Sequence, residues 1–342
     1  MKLSVCMIVK NEAKMLEKTL PSLSQAAAEI IVLDTGSSDD TAAVARKYGA
    51  RVSDFTWIDD FSAARNESLK QATGDWILWA DADEYYKPED LDALKQQLAE
   101  AADPVYELTI YESKPGRCDK NTGFQRAKVF RNGQGFHFIR PINEQLVDAK
   151  GRVAKGELLP VSVYHWGRNL AGEAMNEKRR RYIELYSRAL EQNGNDPYLH
   201  YMLATNLNEL KRLDEALAHF DRTLGLVPDK AIGRQALEKK ADILLRQKKL
   251  PEAAQAAQLL LNLDKDNVPA RNVLAAIYLY AGKIDLAIEV LEEALRLKVE
   301  GRVENKYVNK AMPNFLLSKA YALKGDQAKA ADHLAEYKRI MG

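Results

Sequence analysis

Apolar, β-branched runs alternate with amphipathic stretches from the start of the chain to about residue 110. The runs are short enough for strands, and the stretches between them have the period and length of helices. The predicted elements are strand 3–9, helix 13–23, strand 29–34, helix 39–48, strand 51–55, helix 62–72 and strand 76–80. Strands that alternate with helices form βαβ units, so we expect a mostly parallel sheet with right-handed crossovers.

The pattern changes between residues 105 and 165. Further strands are predicted at 106–111, 127–131 and 161–164, and glycine-bearing loops rather than helices separate them. Strands that follow one another through loops pair antiparallel, whereas parallel pairs need a crossover. We therefore expect an antiparallel or mixed extension of the same sheet.

Beyond about residue 170 a helical repeat replaces the strand pattern. Four alanines align with a period close to 34, and a turn-like residue stands five positions before each. The pairs are Ala216 with Lys211, Ala253 with Lys248, Ala287 with Gly282, and Ala330 with Gly325. This period is typical of tetratricopeptide repeats, helix–turn–helix units whose small residues let neighbouring helices pack closely. We expect units starting near 197, 234, 268 and 311, with an insertion at about 301–310; a non-repeating helical bundle is the alternative.

Composition narrows the class of protein. The 342 residues suffice for two domains, and a formal net charge of +1 lacks the basic signature of a nucleic-acid binder. The two cysteines, Cys6 and Cys118, are too few for a disulfide framework and lack metal-site spacing, so we expect free thiols in a reducing compartment. The apolar run at the N-terminus is too short for a signal peptide, and no segment reaches the length of a membrane span. We expect a cytoplasmic protein with at most peripheral contact with the inner membrane.

Acidic residues follow two of the predicted strands. Asp34 closes the second strand and Asp81 follows the fourth. Ligands of open parallel sheets bind outside the carboxyl ends of the strands, so both residues are expected at one edge. Asp81 and Asp83 can converge after the strand ends, and paired carboxylates suit Mg²⁺ or Mn²⁺, which would neutralise a diphosphate leaving group. An Asp-x-Asp alone is weak evidence, because most copies are solvated turns.

Four ordered sequence blocks resemble those of family 2 glycosyltransferases. They are Cys6–Glu12, Val32–Thr41, Asp60–Asn66 and Gly74–Glu84. More narrowly, the chain resembles the bacterial branch that carries tetratricopeptide repeats at its C-terminus. The resemblance implies an α/β fold of the GT-A type, a Rossmann-like nucleotide-diphospho-sugar transferase domain, followed by an all-α tetratricopeptide-repeat solenoid. The expected domains are 1–170 for the transferase, 171–196 for a connecting helix and 197–342 for about four repeats.

The resemblance also implies roles for residues at the nucleotide. Asp34 matches the aspartate that reads the base, usually uracil, which favours a UDP-linked donor. Residues that border the base, the ribose or the rest of the nucleotide are Ile8, Val9, Asn11, Glu12, Arg65 and Asn66. Asp81 and Asp83 match the motif that binds ribose and the metal–diphosphate. A carboxylate accepts hydrogen bonds from a base N–H or from ribose hydroxyls, in agreement with these roles.

The family inverts the anomeric centre by direct displacement, so a base must deprotonate the acceptor as it attacks. Glu144 resembles the glutamate of the branch's His-Glu block, with Asn143 where histidine is more usual. Glu144 is therefore the candidate base, with Asp83 as the second catalytic candidate, and Asp119 is the alternative base. His165 resembles a histidine that completes the metal site with Asp81 and Asp83, although a histidine at a strand end is often structural.

Several functions remain open at this point. The resemblance implies an inverting hexosyltransferase that uses a nucleotide-diphosphate sugar and Mn²⁺ or Mg²⁺, with a cell-envelope glycan or a lipid-linked acceptor. A peptide or protein acceptor presented by the repeats is the second version, and the repeats could also bind a protein partner or self-associate. A non-catalytic scaffold is the third. The cationic residues Arg126, Arg131, Lys178 and Arg179–Arg181 are read first as solvated surface, and alternatively as contacts to the diphosphate or to an anionic acceptor.

Overall fold

The computed structural model describes residues 1–114, 117–118, 123–167, 172–297 and 307–341. The chain divides into two compact units, Met1–Gly172 and Glu173–Gly342. None of the helices in the described part of the chain has both the length and the apolar character needed to cross a bilayer.

The first unit is built on a curved sheet flanked by helices. Its strands are β1 Leu3–Val9, β2 Glu29–Asp34, β3 Arg51–Asp54, β4 Trp76–Trp79, β5 Glu84–Tyr86, β6 Val105–Lys114, β7 Arg117–Cys118, β8 Phe124–Arg131, β9 His137–Ile139, β10 Gln145–Val147 and β11 Glu157–His165. Its helices are α1 Ala13–Ala26, α2 Thr41–Lys47, α3 Phe61–Lys70 and α4 Pro88–Ala99.

The strand order is β3-β2-β1-β4-β8-β6-β11-β5, with β7 beside β6. The first four strands are parallel, as the alternation of strands and helices predicted. β8 runs antiparallel to both β4 and β6, β11 is parallel to β6, and β5 is antiparallel to β11. The predicted mixed extension is therefore confirmed. β9 and β10 form a separate antiparallel pair.

Helices cover both faces of the parallel part of the sheet. On one face Val5 and Met7 pack with residues of α1 and α4, and on the other face Cys6 and Trp79 pack with β9, β10 and part of α3. Burial on both faces explains why the strands are continuous apolar runs. Burial also raises the pKa of the Cys6 thiol to about 12, so Cys6 is a neutral core residue.

Some boundaries differ from the sequence predictions for local reasons. Helix α2 begins at Thr41 rather than at 39, with Asp40 as its N-cap residue, and the Asp39 carboxylate accepts a hydrogen bond from the Thr41 backbone N–H in the turn before the helix. Gly49 has a φ of +78°, as predicted for the residue after a helix. Gly74 stands beyond the end of α3 for a different reason: a Cβ there would lie 2.6 Å from Ser4 Oγ.

The second unit is all helical. Its helices are α5 Gly172–Gln192, α6 Pro197–Glu209, α7 Leu213–Leu226, α8 Ala231–Arg246, α9 Leu250–Leu263, α10 Val268–Tyr280, α11 Ile284–Arg296, α12 Met312–Lys324 and α13 Gln327–Met341, with a π-helical turn at Tyr307–Ala311. Helix α5 covers most of the segment expected to connect the domains. From α6 onward the helices form four hairpins at the predicted repeat positions, and part of the expected insertion lies outside the described residues.

The predicted repeat alanines and turn residues have the roles that the period assigned them. The four aligned alanines are at most 8% exposed, so they sit where helices approach closely. Each turn residue has a positive φ: +63° at Lys211, +59° at Lys248, +70° at Gly282 and +90° at Gly325. The left-handed conformation after the first helix is therefore a property of every hairpin, whether or not glycine occupies it.

Replacing Gly282 with alanine isolates the cost of this turn conformation. A Cβ at Gly282 would meet no atom within 4 Å, so only backbone strain opposes it. We expect Gly282→Ala to destabilise the repeats by about 1 kcal/mol, because a left-handed backbone is unfavourable for residues with a Cβ. Thermal unfolding followed by far-UV circular dichroism measures the effect.

Gly225→Ala is the matched control. Gly225 lies inside α7 with equally open space, and alanine there should stabilise the protein by about 0.5 kcal/mol, since glycine is a poor helix former. Equal shifts in the same direction for both variants would contradict the assigned turn.

Candidate functional site

The carboxyl ends of the parallel strands form an edge that carries the predicted acidic residues. The register pairs Val9 with Asp34 and Cys6 with Trp79, so β1 lies between Asp34 on β2 and Asp81 after β4. Two strand spacings separate these two positions, about 10 Å across the sheet.

Two loops are joined above β1 and β2. Asn11, with a φ of +56°, donates from its backbone N–H to Ser37 Oγ, and its side-chain Oδ1 accepts from the Ser38 backbone N–H. Asp34 Oδ1 accepts backbone hydrogen bonds from Gly36 and Ser37 at 3.0 and 2.8 Å. These hydrogen bonds hold the two loops together at the end of the sheet edge where the base was predicted to bind.

Residues 8–12 are the carboxyl end of β1 and the start of the loop that follows it. Ile8 is the only residue of β1 that is partly exposed, whereas Val9 is buried. The backbone N–H of Glu12 donates to Thr41 Oγ1, which fixes the start of α1 against α2. Ile8 is thus the residue of β1 that remains partly accessible at this edge.

Arg65 of α3 joins two of the predicted site residues. Its Nη2 donates to Asp81 Oδ1 and its Nε donates to Glu144 Oε1, both at 2.6 Å. Arg65 and Glu144 are each at most 8% exposed, while the Asp81 side chain is 30% exposed. One buried guanidinium therefore holds a residue from the end of β4 next to a residue from the loop before β10.

The charge of Arg65 dominates the electrostatics of Asp81. Burial alone would raise the pKa of this carboxyl, but the neighbouring Arg65 outweighs it and holds the pKa of Asp81 well below its usual range. Lys128 and Arg126 act in the same direction. Asp81 is consequently a carboxylate at every physiological pH and can only accept hydrogen bonds or bind a cation.

Three cationic groups surround the indole of Trp79. The Lys128 Nζ lies 3.4 Å from the ring centroid, and the Cζ atoms of Arg65 and Arg126 lie 4.4 and 4.7 Å away. The ring faces are electron-rich and stabilise adjacent cations. Arg126 makes no ion pair within the described part of the chain, and its Nη2 donates to the Glu144 backbone carbonyl.

Asp83 has different partners from Asp81. Its Oδ2 lies 3.2 Å from His165 Nε2, and His165 Nδ1 lies 3.1 Å from Glu112 Oε2. The hydrogen bond to Asp83 raises the pKa of His165 to about 9, and Glu112 adds to this shift. No group of three or more histidine, cysteine, aspartate or glutamate residues in the described ranges has the arrangement of a complete metal site.

A buried ionic network not predicted from the sequence lies behind the Asp-Ala-Asp turn. Lys128 Nζ contacts Glu84 Oε1 at 2.6 Å and Oε2 at 2.7 Å, and Tyr86 donates its hydroxyl to the same Oε2. Burial raises the pKa of Glu84 and lowers that of Lys128, and the charge of each residue opposes the shift of the other. The signal in the sequence was a lone lysine inside a strand.

Three other residues named in the sequence analysis are Asn66, Asn143 and Asp119, and each has a different environment or position. Asn66 donates to the Phe138 backbone carbonyl and accepts from the Phe138 N–H, at 2.8 and 2.7 Å, so its amide holds β9. Asn143 has a φ of +50°, a conformation that asparagine tolerates better than most residues, which accounts for an asparagine before Glu144. Asp119 lies outside the described residues.

The other cationic candidates have surface roles. Arg131 lies over the ring of Trp76 and donates to the Ala101 carbonyl. Arg179 pairs with Glu209, and Arg180 pairs with Glu173. The ion pairs of Arg179 and Arg180 support the interpretation of a solvated face, whereas Arg131 is half-buried over the Trp76 ring.

Comparisons with known proteins match the two parts of the chain to different families. Residues 4–153 match the family model described as glycosyl transferase family 2, and residues 177–231 match a tetratricopeptide repeat model. A TPR repeat-containing protein of Synechococcus elongatus is 34% identical over 57% of this chain and 50% of its own length. The SPbeta prophage-derived glycosyltransferase SunS of Bacillus subtilis is 27% identical over 64% of this chain and 52% of its own length. The chain thus spans about half the length of these curated relatives.

A solved structure of glucosyl-3-phosphoglycerate synthase from Mycobacterium tuberculosis, in complex with Mn²⁺, UDP and glucosyl-3-phosphoglycerate, is also similar. It is 26% identical over 32% of this chain and 44% of its own, with a TM-score of 0.29. We draw no residue correspondence from so short an overlap.

Removing the Arg65 charge should disrupt the first unit. We expect Arg65→Met to cost about 3–5 kcal/mol, because a buried ion pair that loses one partner leaves uncompensated carboxylates. The four tryptophans of the chain all lie between residues 57 and 166, so urea unfolding followed by tryptophan fluorescence reports on this unit alone.

Arg126→Met provides the matched control on the same indole. Arg126 has no carboxylate partner among the described residues, so its loss should cost about 1 kcal/mol or less. If both variants lose the same small amount of stability, the Arg65 bridge does not make the contribution to the free energy of unfolding that is expected here.

Proposed function

We propose that the protein is an inverting, metal-dependent glycosyltransferase, because residues 4–153 match the glycosyl transferase family 2 model. It moves a hexose from a nucleotide-diphosphate sugar, UDP-linked, to a hydroxyl-bearing acceptor. One observation carries the proposal: a single edge of the parallel sheet holds Asp34 at one end, the Asp81–Arg65–Glu144 bridge in the middle and the Asp83–His165 contact beyond it. Parallel sheets bind their ligands at this edge.

The donor nucleotide lies along the edge in this proposal. The base contacts the Asp34 end, beside the half-buried Ile8 and the joined loops of Asn11 and Ser37. Ribose hydroxyls donate to Asp81, whose carboxylate is fixed by Arg65 and accepts hydrogen bonds only. The spacing of about 10 Å between the two aspartates supports this order of contacts.

Asp83 and His165 fit a divalent cation. The Asp83 carboxylate and the His165 imidazole are in contact, with 3.2 Å between Oδ2 and Nε2, and they could hold an ion together once His165 has lost its proton. The Asp83 carboxylate suits Mg²⁺ or Mn²⁺, the His165 imidazole favours the transition-metal ion Mn²⁺, and oxygens of the diphosphate would supply further ligands. When bound, the ion stabilises the negative charge that develops on the departing diphosphate. Asp81, engaged by Arg65, contributes to the same site through its negative charge.

Glu144 is the proposed base. Arg65 holds Oε1, which leaves Oε2 to accept the proton of the acceptor hydroxyl as its oxygen bonds to the anomeric carbon. The bond between that carbon and the diphosphate oxygen breaks in the same step. Because Arg65 also holds Asp81, the base is kept in fixed register with the donor, and such positioning contributes strongly to displacement reactions.

Substitutions at Glu144 and Asp83 should separate chemistry from binding. We expect Glu144→Gln to bind UDP with Mn²⁺ as the wild type does and to lose at least about 100-fold in kcat, the usual contribution of a general base. Asp83→Asn should instead lose the Mn²⁺-dependent part of UDP binding.

The matching measurements are isothermal calorimetry of UDP with and without Mn²⁺ and the turnover of UDP-sugars, including slow hydrolysis by water. A wild type that binds no nucleotide and turns over no sugar donor in the presence of Mn²⁺ is the result expected of a scaffold. Weakened UDP binding by Glu144→Gln at an unchanged urea midpoint would show that the bridge is intact and would reassign Glu144 to the donor site.

A peptide acceptor is a second candidate, favoured by a cavity in the repeat unit. The cavity measures about 330 Å³ and is lined by α8, α10 and the turn at Tyr307–Ala311. Asn272, 7% exposed, donates from Nδ2 to the Val308 carbonyl, while its buried Oδ1 has no hydrogen-bond partner among the described residues. An amide that holds one carbonyl and lacks one donor suits an extended peptide.

A substitution of Asn272 distinguishes a peptide acceptor from a glycan or lipid-linked acceptor. If the acceptor is a peptide, Asn272→Ala should raise the KM for peptide acceptors about tenfold and leave UDP-sugar hydrolysis unchanged. Unchanged transfer to glycan or lipid-linked acceptors in the same variant would favour those acceptors.

A further inference from the structure

We propose that Glu84 and Lys128 are positioning residues, which hold the Asp81–Asp83 turn in the conformation that binds the donor. This inference rests on the proposed function, because it assigns the pair a role in binding a metal–nucleotide complex. Neither residue belongs to the predicted site, and both are almost completely buried behind it.

Several backbone groups of the turn between β4 and β5 form hydrogen bonds. Thr19 of α1 donates its hydroxyl to the Ala82 carbonyl at 2.9 Å, and the Trp166 N–H donates to the Asp83 carbonyl at 2.7 Å. The Glu84 N–H closes the turn on the Asp81 carbonyl at 3.1 Å. A further hydrogen bond of the turn runs from the Asp81 N–H to Glu84 Oε2.

Glu84 therefore accepts hydrogen bonds from both the turn and the core. Its carboxylate receives the Asp81 N–H, the Tyr86 hydroxyl and Lys128 Nζ, and the residue is 2% exposed. A carboxylate with this many donors is held in one orientation. The Asp81 backbone, and with it the direction of the Asp81 side chain, depends on that orientation.

Lys128 reaches Glu84 because of an irregularity in the sheet. The register between β6 and β8 pairs Tyr106 with Val129 and Glu107 with Ala127, so Lys128 is the extra residue of a β-bulge. A bulge redirects a side chain that regular pairing would place elsewhere, and bulges are frequent beside active sites. Here it buries the lysine between the Trp79 ring and the Glu84 carboxylate.

Stability alone does not explain such a pair. A buried ion pair gains about as much from attraction as it loses in desolvation, and an apolar pair of similar volume is often equally or more stable. Asp81 adds a second negative charge next to Glu84, which Lys128 also offsets. The pair thus allows two carboxylates to stay close together at the point where a cation and a diphosphate must bind.

The test uses the full chain with two single variants and their combination. Glu84→Gln and Lys128→Met each leave one charge without its partner, and both should lower the urea midpoint read by tryptophan fluorescence. Glu84→Gln/Lys128→Met removes both charges at nearly constant volume, and its midpoint should return close to that of the wild type. Isothermal calorimetry with UDP, with and without Mn²⁺, is then carried out on each folded protein.

We expect the double variant to bind UDP with Mn²⁺ at least tenfold more weakly than the wild type despite its recovered stability. Glu29→Gln is the matched control, because Glu29 is a partly buried glutamate at the opposite end of β2 that accepts from Ser4, Thr73 and Arg51, and this variant should bind UDP normally. Recovery of both stability and wild-type UDP affinity in the double variant would overturn the inference and leave the proposed function intact. Failure of the wild type itself to bind any nucleoside diphosphate would overturn the proposed function and the inference together.

Discussion

The bridge from Arg65 to Asp81 and Glu144 is the contact on which the arrangement of side chains at the carboxyl ends of the parallel strands depends. It joins three segments that are distant in sequence: helix α3, the end of β4 and the loop before β10. The guanidinium is buried against Trp79, so neither carboxylate can lose it without being left beside an apolar ring. Asp81 and the proposed base, Glu144, are therefore held at a fixed separation by one side chain.

The sheet topology explains why these groups meet. The parallel strands bring Asp34 and Asp81 to one edge, and the antiparallel return of β8 carries Arg126 and Lys128 to the same place. Strand β11 then adds His165, paired in register with Glu84 and Glu112. The mixed half of the sheet supplies the cationic and imidazole groups that a purely parallel sheet of βαβ units would not bring there.

Sequence patterns predicted the elements whose periodicity is strong. β1 and β2 were predicted residue for residue because they are apolar on both faces, and the repeat hairpins followed from alanines and turns at constant spacing. Two features carried no such signal. The bulge at Lys128 depends on pairing between strands distant in sequence, and the partners of Arg65 depend on a loop residue, Glu144, whose burial only the tertiary fold determines. The roles of the individual site residues in catalysis stay predictions.

The central claim is that this edge binds a nucleoside diphosphate and a divalent cation side by side. Crystals of the full chain grown with UDP and Mn²⁺ test it most directly, because the anomalous signal of manganese locates the ion independently of the rest of the map. We expect an anomalous peak within bonding distance of Asp83 and His165, with the uracil beside Asp34. A peak elsewhere, or a nucleotide bound away from the carboxyl ends of β1, β2 and β4, would contradict it.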